Sequence, residues 1–355
     1  DLWGWPYGSY PEGWSEWNGY QRNVFRRFMK GDGEASTNSP AGRQRTIAQH
    51  FNDFFNGAFD DFADTGGPTS SVNFLVAHDG FNLADLVSYN DKNNQLDWPF
   101  GPSDGGTNQH NSWDSTGTAM DTQDLRRQRI RNFWISLMFA RGVPMIVYGD
   151  ELSRTQNGNN NPYALDSVVT WNHYGMIDTD TPQGVDLDPA NQSGGTEPMH
   201  NNLGTDTNAN GFNDLFLFAA DVMNRRVDDT ALHFSDYSTE ITFSEPVSTN
   251  ARAERIGINT NGGTAGGQYI LLINMDATDV DFDIWSPGAD SRWVKVYDTQ
   301  HSMEQYGNSW DVSDYGTTLG DPVPAGGFEW EDDSGVATYE DYTVPAWSIT
   351  VLQKA

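Results

Sequence analysis

Short apolar runs that end in polar turn residues organise roughly the first two-thirds of the chain. Val72-Asn73-Phe74-Leu75-Val76-Ala77 runs into His78-Asp79-Gly80, and Val143-Pro144-Met145-Ile146-Val147-Tyr148 runs into Gly149-Asp150-Glu151. Runs of this length, closed by turn residues, predict buried strands. Between them, Leu125, Ile130, Phe133, Trp134, Leu137 and Met138 fall mostly on one helical face, with Asp121 placed as N-cap and Gly142 as a stop. A second helix is expected over 213–227. Apolar strands joined through helices indicate a parallel α/β sheet. In barrels of that kind, residues at the C-terminal ends of strands face the active site.

The pattern changes near residue 230. Segments 254–260, 268–275, 280–285, 292–298 and 347–353 are short, alternating and bounded by turn residues. They predict an antiparallel β-sandwich of roughly 120 residues. The expected division is therefore 1–230 and 231–355. No internal repeat is visible, and the Gly/Asp/Asn-rich stretch over 179–211 reads as a surface excursion.

At 355 residues the chain can bury two cores. No stretch approaches the roughly eighteen uninterrupted apolar residues of a membrane span. Residues 1–6 carry no basic segment followed by an apolar run, so neither a signal nor a transit peptide is expected there. Charge changes the picture more. Lys+Arg total 20 against 50 Asp+Glu, for a net charge of −30, and Asp outnumbers Glu about three to one. Such a surface repels phosphate backbones and anionic membranes, which argues against nucleic acid and lipid as partners. A neutral sugar polymer is indifferent to it. The same balance suits solubility in high salt. There is no cysteine, which excludes disulfides, thiolate nucleophiles and Cys-based zinc sites.

Three clusters could carry chemistry. His78-Asp79 puts a carboxylate at the mouth of a buried strand, where it is costly unless it binds something; a helix cap or loop ion pair is the plainer alternative. The stretch 98–106, with Trp98, Phe100 and Asp104, is followed by Trp113, and Trp3, Trp5, Tyr7, Tyr10, Trp14 and Trp17 crowd the first seventeen residues. Aromatic faces beside amides and carboxylates suit a pyranose, which stacks its C–H face and hydrogen-bonds its hydroxyls. Loop aromatics also serve local packing. The third cluster is Asp150, Arg154, Asn160 and Tyr163, in a run of amides that fits either a hydroxyl-rich ligand or a loop held by Asx turns.

Together these segments resemble the isoamylase-type glycogen and starch debranching enzymes of the α-amylase superfamily. The matching stretches are Gly13-Trp14-Ser15-Glu16-Trp17-Asn18-Gly19, Ala77-His78-Asp79-Gly80-Phe81 and Val87-Ser88-Tyr89-Asn90-Asp91-Lys92-Asn93-Asn94. They continue through 98–106, 111–114, 142–151 and 154–163, in family order, across residues 1 to about 175. Pro102-Ser103-Asp104-Gly105-Gly106 and Gly158-Asn159-Asn160-Asn161 look closest to isoamylases, whereas the C-terminal part is similar only in pattern.

The resemblance implies the C-terminal part of a (β/α)8 TIM barrel, strands six to eight, followed by an antiparallel β-sandwich domain. It implies retaining hydrolysis of α-1,6 branch linkages in glycogen and amylopectin. Asp79 matches the carboxylate after the seventh strand, and His78 its neighbouring hydroxyl ligand. Trp3 aligns with the Trp of the family's Glu-Pro-Trp segment, which puts Asp1 at the acid/base position, one methylene shorter than the usual Glu. The segment with the nucleophile has no match in this chain. The alternative is a non-catalytic isoamylase-like glucan-binding subunit. A half-barrel leaves strand edges and an apolar interior bare, so an N-terminal half or companion chain is the expected partner. No cofactor is required. The loop Asp and Asn residues permit structural calcium, but no ligand spacing names a site.

Overall fold

A computed structural model describes residues 7–38, 42–113, 122–167, 170–172, 174–177, 184–186, 196–198, 209–244, 252–260, 267–318, 321–331 and 339–355. Asp1, Trp3, Trp5, Asp121 and Asp114 lie outside the described residues. So does most of the 179–211 stretch.

The chain opens with strand β1 (Glu16–Trp17) and helix α1 (Gly19–Met29). Asn18 caps α1 by accepting from the Gln21 N–H at 2.8 Å, and Arg26 and Arg27 sit in the last turn, where a cation suits the helix dipole. A hairpin of β2 (Ser36–Asn38) and β3 (Gln44–Thr46) leads into α2 (Ile47–Phe55), which starts with a Thr46–Gln49 capping box. Phe25 and Phe28 of α1 pack on Phe51, the latter stacked at 4.1 Å between ring centres.

After the short helix α3 (Phe59–Phe62) comes β4 (Ser71–Phe74), parallel to β1 with Trp17 opposite Val72. Beyond a one-turn helix α4 (Leu83–Leu86), the long α5 (Thr122–Phe139) returns the chain to β5 (Val143–Met145), parallel to β4. The order β1-β4-β5 makes a three-stranded parallel sheet. Its strands are shorter than the apolar runs at 72–77 and 143–148. Backbone pairing stops at Phe74 and Met145, while Leu75, Val76 and Ala77 continue buried without a ladder.

A small hairpin of β6 (Gly184–Asp186) and β7 (Thr196–Pro198) precedes α6 (Asp214–Asp228). Asn213 caps α6 through its side chain, close to the start expected from sequence. The rest is antiparallel. Strands β8 (Ile241–Ser244), β9 (Ala253–Ile258), β10 (Tyr269–Asn274), β11 (Val280–Ile284), β12 (Arg292–Asp298), β13 (Glu329–Glu331), β14 (Glu340–Val344) and β15 (Ser348–Lys354) form two sheets. One has six strands in the order β13-β12-β15-β10-β9-β8, and the other pairs β11 with β14.

The two-residue period of a strand sends alternate side chains to opposite faces. Ile270 and Leu272 therefore join Phe282, Ile284 and Leu352 between the two sheets. Leu271 and Ile273 join Ile256, Val296, Ile349 and Val351 on the opposite face, in one continuous core with Phe139 of α5 and Phe218 of α6.

The β part covers the side of α5 that its sequence pattern would leave in water. Arg127, Arg129 and Arg131 are all buried. Glu304 takes the guanidinium groups of Arg127 and Arg131, each at 2.8 Å, and Arg131 also donates to the Thr299 carbonyl. Gln128 and Asn132 donate to the Trp347 carbonyl at 2.8 Å. Polar helix residues thus satisfy the turns of the docked sheet.

Candidate active site

The parallel strands β1 and β4 end side by side, and their ends converge on His78 and Asp79. The chain leaves β4 through buried Leu75–Ala77 positions and then turns outward, so His78 and Asp79 are both exposed. Trp17, at the end of β1, is 55% exposed and meets Phe74 and His78 edge-on, at 5.8 Å in each case. A cleft of about 280 Å³ opens beside Trp17, lined also by Tyr7, Glu16, Tyr20 and Arg22.

Two arginines of α1 supply the positive charge around this corner. Arg22 lies over the Phe74 ring at 5.3 Å. Burial pulls its guanidinium below the usual range, and the attraction of Asp79 opposes that pull. Arg26, one helical turn later, is buried and donates to the carbonyls of Leu75 and His110 at 2.7 and 2.8 Å. Burial and the neighbouring Arg22 bring it down to about 9, opposed by Asp79 and Asp150. The helical i, i+4 spacing puts both arginines on the face that meets the sheet. Sequence reasoning passed over them, although two arginines at that spacing are conspicuous in so acidic a chain.

The loops after β4 and β5 are fastened to each other by carboxylates. Asp150 is buried and accepts from the Leu83 N–H at 3.0 Å. Burial pushes its carboxyl up to about 7, with the Leu83 N–H and Arg154 pulling the other way. Asp85, in the same short helix as Leu83, accepts from the Thr155 hydroxyl and from the Gln156 N–H. Burial raises it to about 6 against those hydrogen bonds.

The amide run does similar work. Asn160 is fully buried: it exchanges two hydrogen bonds with Asn94 at 3.0 Å and donates to the Thr107 carbonyl. Its own carbonyl accepts from the Gly80 N–H, directly after Asp79. Asn159 donates to the Phe100 carbonyl, and Asn161 to that of Asp104. A Cβ at Gly106 would collide with Asn160, and φ there is +70°, so only glycine fits this crossing.

The remaining candidates separate by exposure. Trp14, Trp98, Asp104 and Tyr163 are exposed, Tyr163 to 79%, and Phe100 is half-buried. Arg154 is buried behind Gly149. Trp113 is committed elsewhere. Its ring lies against Trp347 at 4.8 Å, with Arg129 over its face, at the junction with the β part. Among the described residues no three His, Cys, Asp or Glu side chains gather as a metal site, and no helix is long and apolar enough to cross a membrane.

A three-stranded parallel sheet followed by a carboxylate, an imidazole and an exposed indole, joined to an antiparallel β part, places this chain in the class of mixed α/β proteins. It is related to the isoamylase-type debranching enzymes of the α-amylase superfamily. It is 34% identical over 299 residues to an isoamylase from Flavobacterium sp, a match covering 82% of this chain and 35% of that protein. It is 39% identical over 181 residues to a glycogen operon protein GlgX homolog of Mycobacterium tuberculosis, covering 49% of this chain and 23% of that one. The chloroplastic isoamylase 1 of Arabidopsis thaliana is 37% identical over 170 residues, 44% of this chain and 19% of its own length. The chain thus spans about a third or less of these relatives.

Among solved structures, the GBS pullulanase SAP in complex with maltotetraose superposes with a TM-score of 0.52 at 10% identity, over 98% of this chain and 40% of that one. Pullulanase type I from Bacillus subtilis gives 0.51 at 13% identity, over 96% of this chain and 35% of its own. Both are likenesses of fold. No family model matches the chain.

Proposed function

We propose that this chain is the C-terminal part of a retaining glycoside hydrolase that cleaves α-1,6 branch linkages in glycogen and amylopectin. In this reading β1, β4 and β5 are the sixth, seventh and eighth strands of a (β/α)8 barrel within residues 1–230, and residues 231–355 form the β-sandwich domain that follows. The observation that carries it is the exposed Asp79 in the turn beyond β4, next in sequence to His78, whose ring meets Trp17, and attracted by the charge of Arg22 and Arg26. Relatedness to isoamylases supports the same reading.

Asp79 would accept hydrogen bonds from two sugar hydroxyls, and these strengthen as the ring flattens towards an oxocarbenium ion. Only the part of that bonding gained on going to the transition state raises the rate; the part already made to the bound sugar contributes to affinity. His78 would donate to or accept from a neighbouring hydroxyl, with its ring held by Trp17. Trp14, Trp98 and Tyr163 offer exposed faces for further sugar units, with Phe100 and Asp104 beside them. Asp150, Arg154 and Asn160 hold the loops that carry those faces. The nucleophile would come from an N-terminal half or a companion chain, and the resemblance aligns Asp1, outside the described residues, with the acid/base. That partner would also cover β1 and β5, each of which pairs on one side only among the described residues.

The test is Asp79→Asn in the assembled protein, assayed for linear chains released from amylopectin. A loss of about a hundredfold or more is expected. Unchanged release would sink the role given to Asp79.

A further inference from the structure

Four large aromatic side chains stand exposed close in sequence beyond β5. Tyr148 is 63% exposed, Tyr163 79%, Trp171 57% and Tyr174 52%. Exposure alone says little, since single surface aromatics are common. Two of these, however, are built into a unit. The Tyr174 hydroxyl donates to the Tyr148 hydroxyl at 2.7 Å, and the rings stand 6.2 Å apart at 69°. They form an open corner rather than a packed pair.

The corner is anchored to the candidate site. Tyr148 precedes Gly149 and Asp150, and Tyr174 lies two residues beyond Asn172. Gly149 has φ +102°, and a Cβ there would collide with both Asn172 and Arg154. The segment carrying Tyr174 is thereby pressed against the turn carrying Asp150. Asp150 in turn accepts from Leu83, in the loop that follows Asp79.

The chemistry of the corner is specific. One ring face is free to stack on the C–H face of a pyranose. One phenol proton is used within the pair, which leaves the other phenol proton and the remaining lone pairs for a hydroxyl-bearing ligand. The net charge of −30 disfavours an anion there. From this geometry we infer that Tyr148 and Tyr174 form a glucosyl-binding subsite at the mouth of β5, which holds a unit of an α-glucan chain remote from the bond cleaved. The inference rests on the α-glucan reading of the site above and specifies how much chain that site grips.

The test compares maltoheptaose with maltotriose as titrants in the assembled protein, N-terminal half included, unaltered or bearing Tyr148→Ala, Tyr174→Ala or Tyr174→Phe. Both tyrosines are exposed, so the folded state should survive, and Tyr174→Phe keeps the stacking face in any case. Loss of one stacking face is expected to weaken maltoheptaose binding about tenfold and to leave maltotriose within about twofold. Tyr174→Phe should fall between the unaltered protein and Tyr174→Ala. Equal maltoheptaose binding by all four proteins would overturn the subsite and leave the α-glucan reading standing. Equal weakening for both oligosaccharides would also overturn it, because the pair would then touch the central units. No binding of either sugar by the unaltered protein would overturn both.

Discussion

The Gly80 N–H donates to the Asn160 carbonyl at 3.0 Å, so the turn that presents Asp79 is closed by the loop that follows the neighbouring strand. The position of the carboxylate thus depends on a residue eighty places away in the chain, which is itself held by Asn94 and Thr107.

Replacing Asn160 by Ala removes both side-chain partners of this brace. The buried Asn94 amide would keep only its longer contact to the Gly105 carbonyl, at 3.4 Å, and the exposed Thr107 carbonyl would turn to water, so the cost falls mainly on Asn94, at about 1–3 kcal/mol. We expect Asn160→Ala to lower the unfolding free energy by about 1–3 kcal/mol in urea titrations. A change below about 0.5 kcal/mol would show that water replaces the amide and that the brace is dispensable.

The buried Asp150 makes stability depend on pH in a definite direction. Its carboxyl is raised to about 7 in the folded protein, well above the ordinary carboxylate value, so the folded state holds its proton more tightly than the unfolded chain. That contribution is complete below about pH 4 and is lost as the pH rises through 7. Asp150→Asn keeps an acceptor for the Leu83 N–H and removes the charge. It should flatten the decline in melting temperature between pH 4 and 7, a slope read directly from thermal melts. An identical slope in the variant would assign the dependence to other groups such as Asp85.

Glu304 behaves in the opposite sense. Burial would raise its carboxyl, but Arg131 and Arg127 hold it below the usual range. Its contribution is present above the ordinary Glu value and lost as the pH falls through the lower folded one. Glu304→Ala leaves two buried guanidinium groups facing each other, a loss of about 3–5 kcal/mol. Because Glu304 joins the β part to α5, the variant should also become open to proteolysis at that junction. Resistance equal to the unaltered protein would place the strength of the junction in its apolar core instead.

Much of the frame was legible before any coordinates. The apolar runs ending at His78 and Gly149, the helices near 122–139 and 214–228, and all five expected β segments after residue 250 correspond to observed elements. Two signals that survive in a single sequence produced this. A strand or helix must send its apolar residues to one side at a fixed period, and a turn must place glycine or a capping amide where the backbone demands it. The same signals are silent about polar residues that find partners far along the chain.

So the sequence by itself determined which apolar runs enter the sheet and which residues follow them, His78, Asp79 and the aromatic-rich loops, but not where backbone pairing stops. Only the tertiary structure decided what each does there. It buried the arginine-bearing side of α5 under Glu304, 173 residues away from Arg131, and sent Trp113 to the junction with Trp347. It turned Asn160 into a brace for Asn94, 66 residues distant, and paired Tyr148 with Tyr174 in an exposed corner. The physical reason is that a buried polar group must be satisfied by whichever partner the fold brings within about 3 Å. That partner is set by packing and not by spacing along the chain.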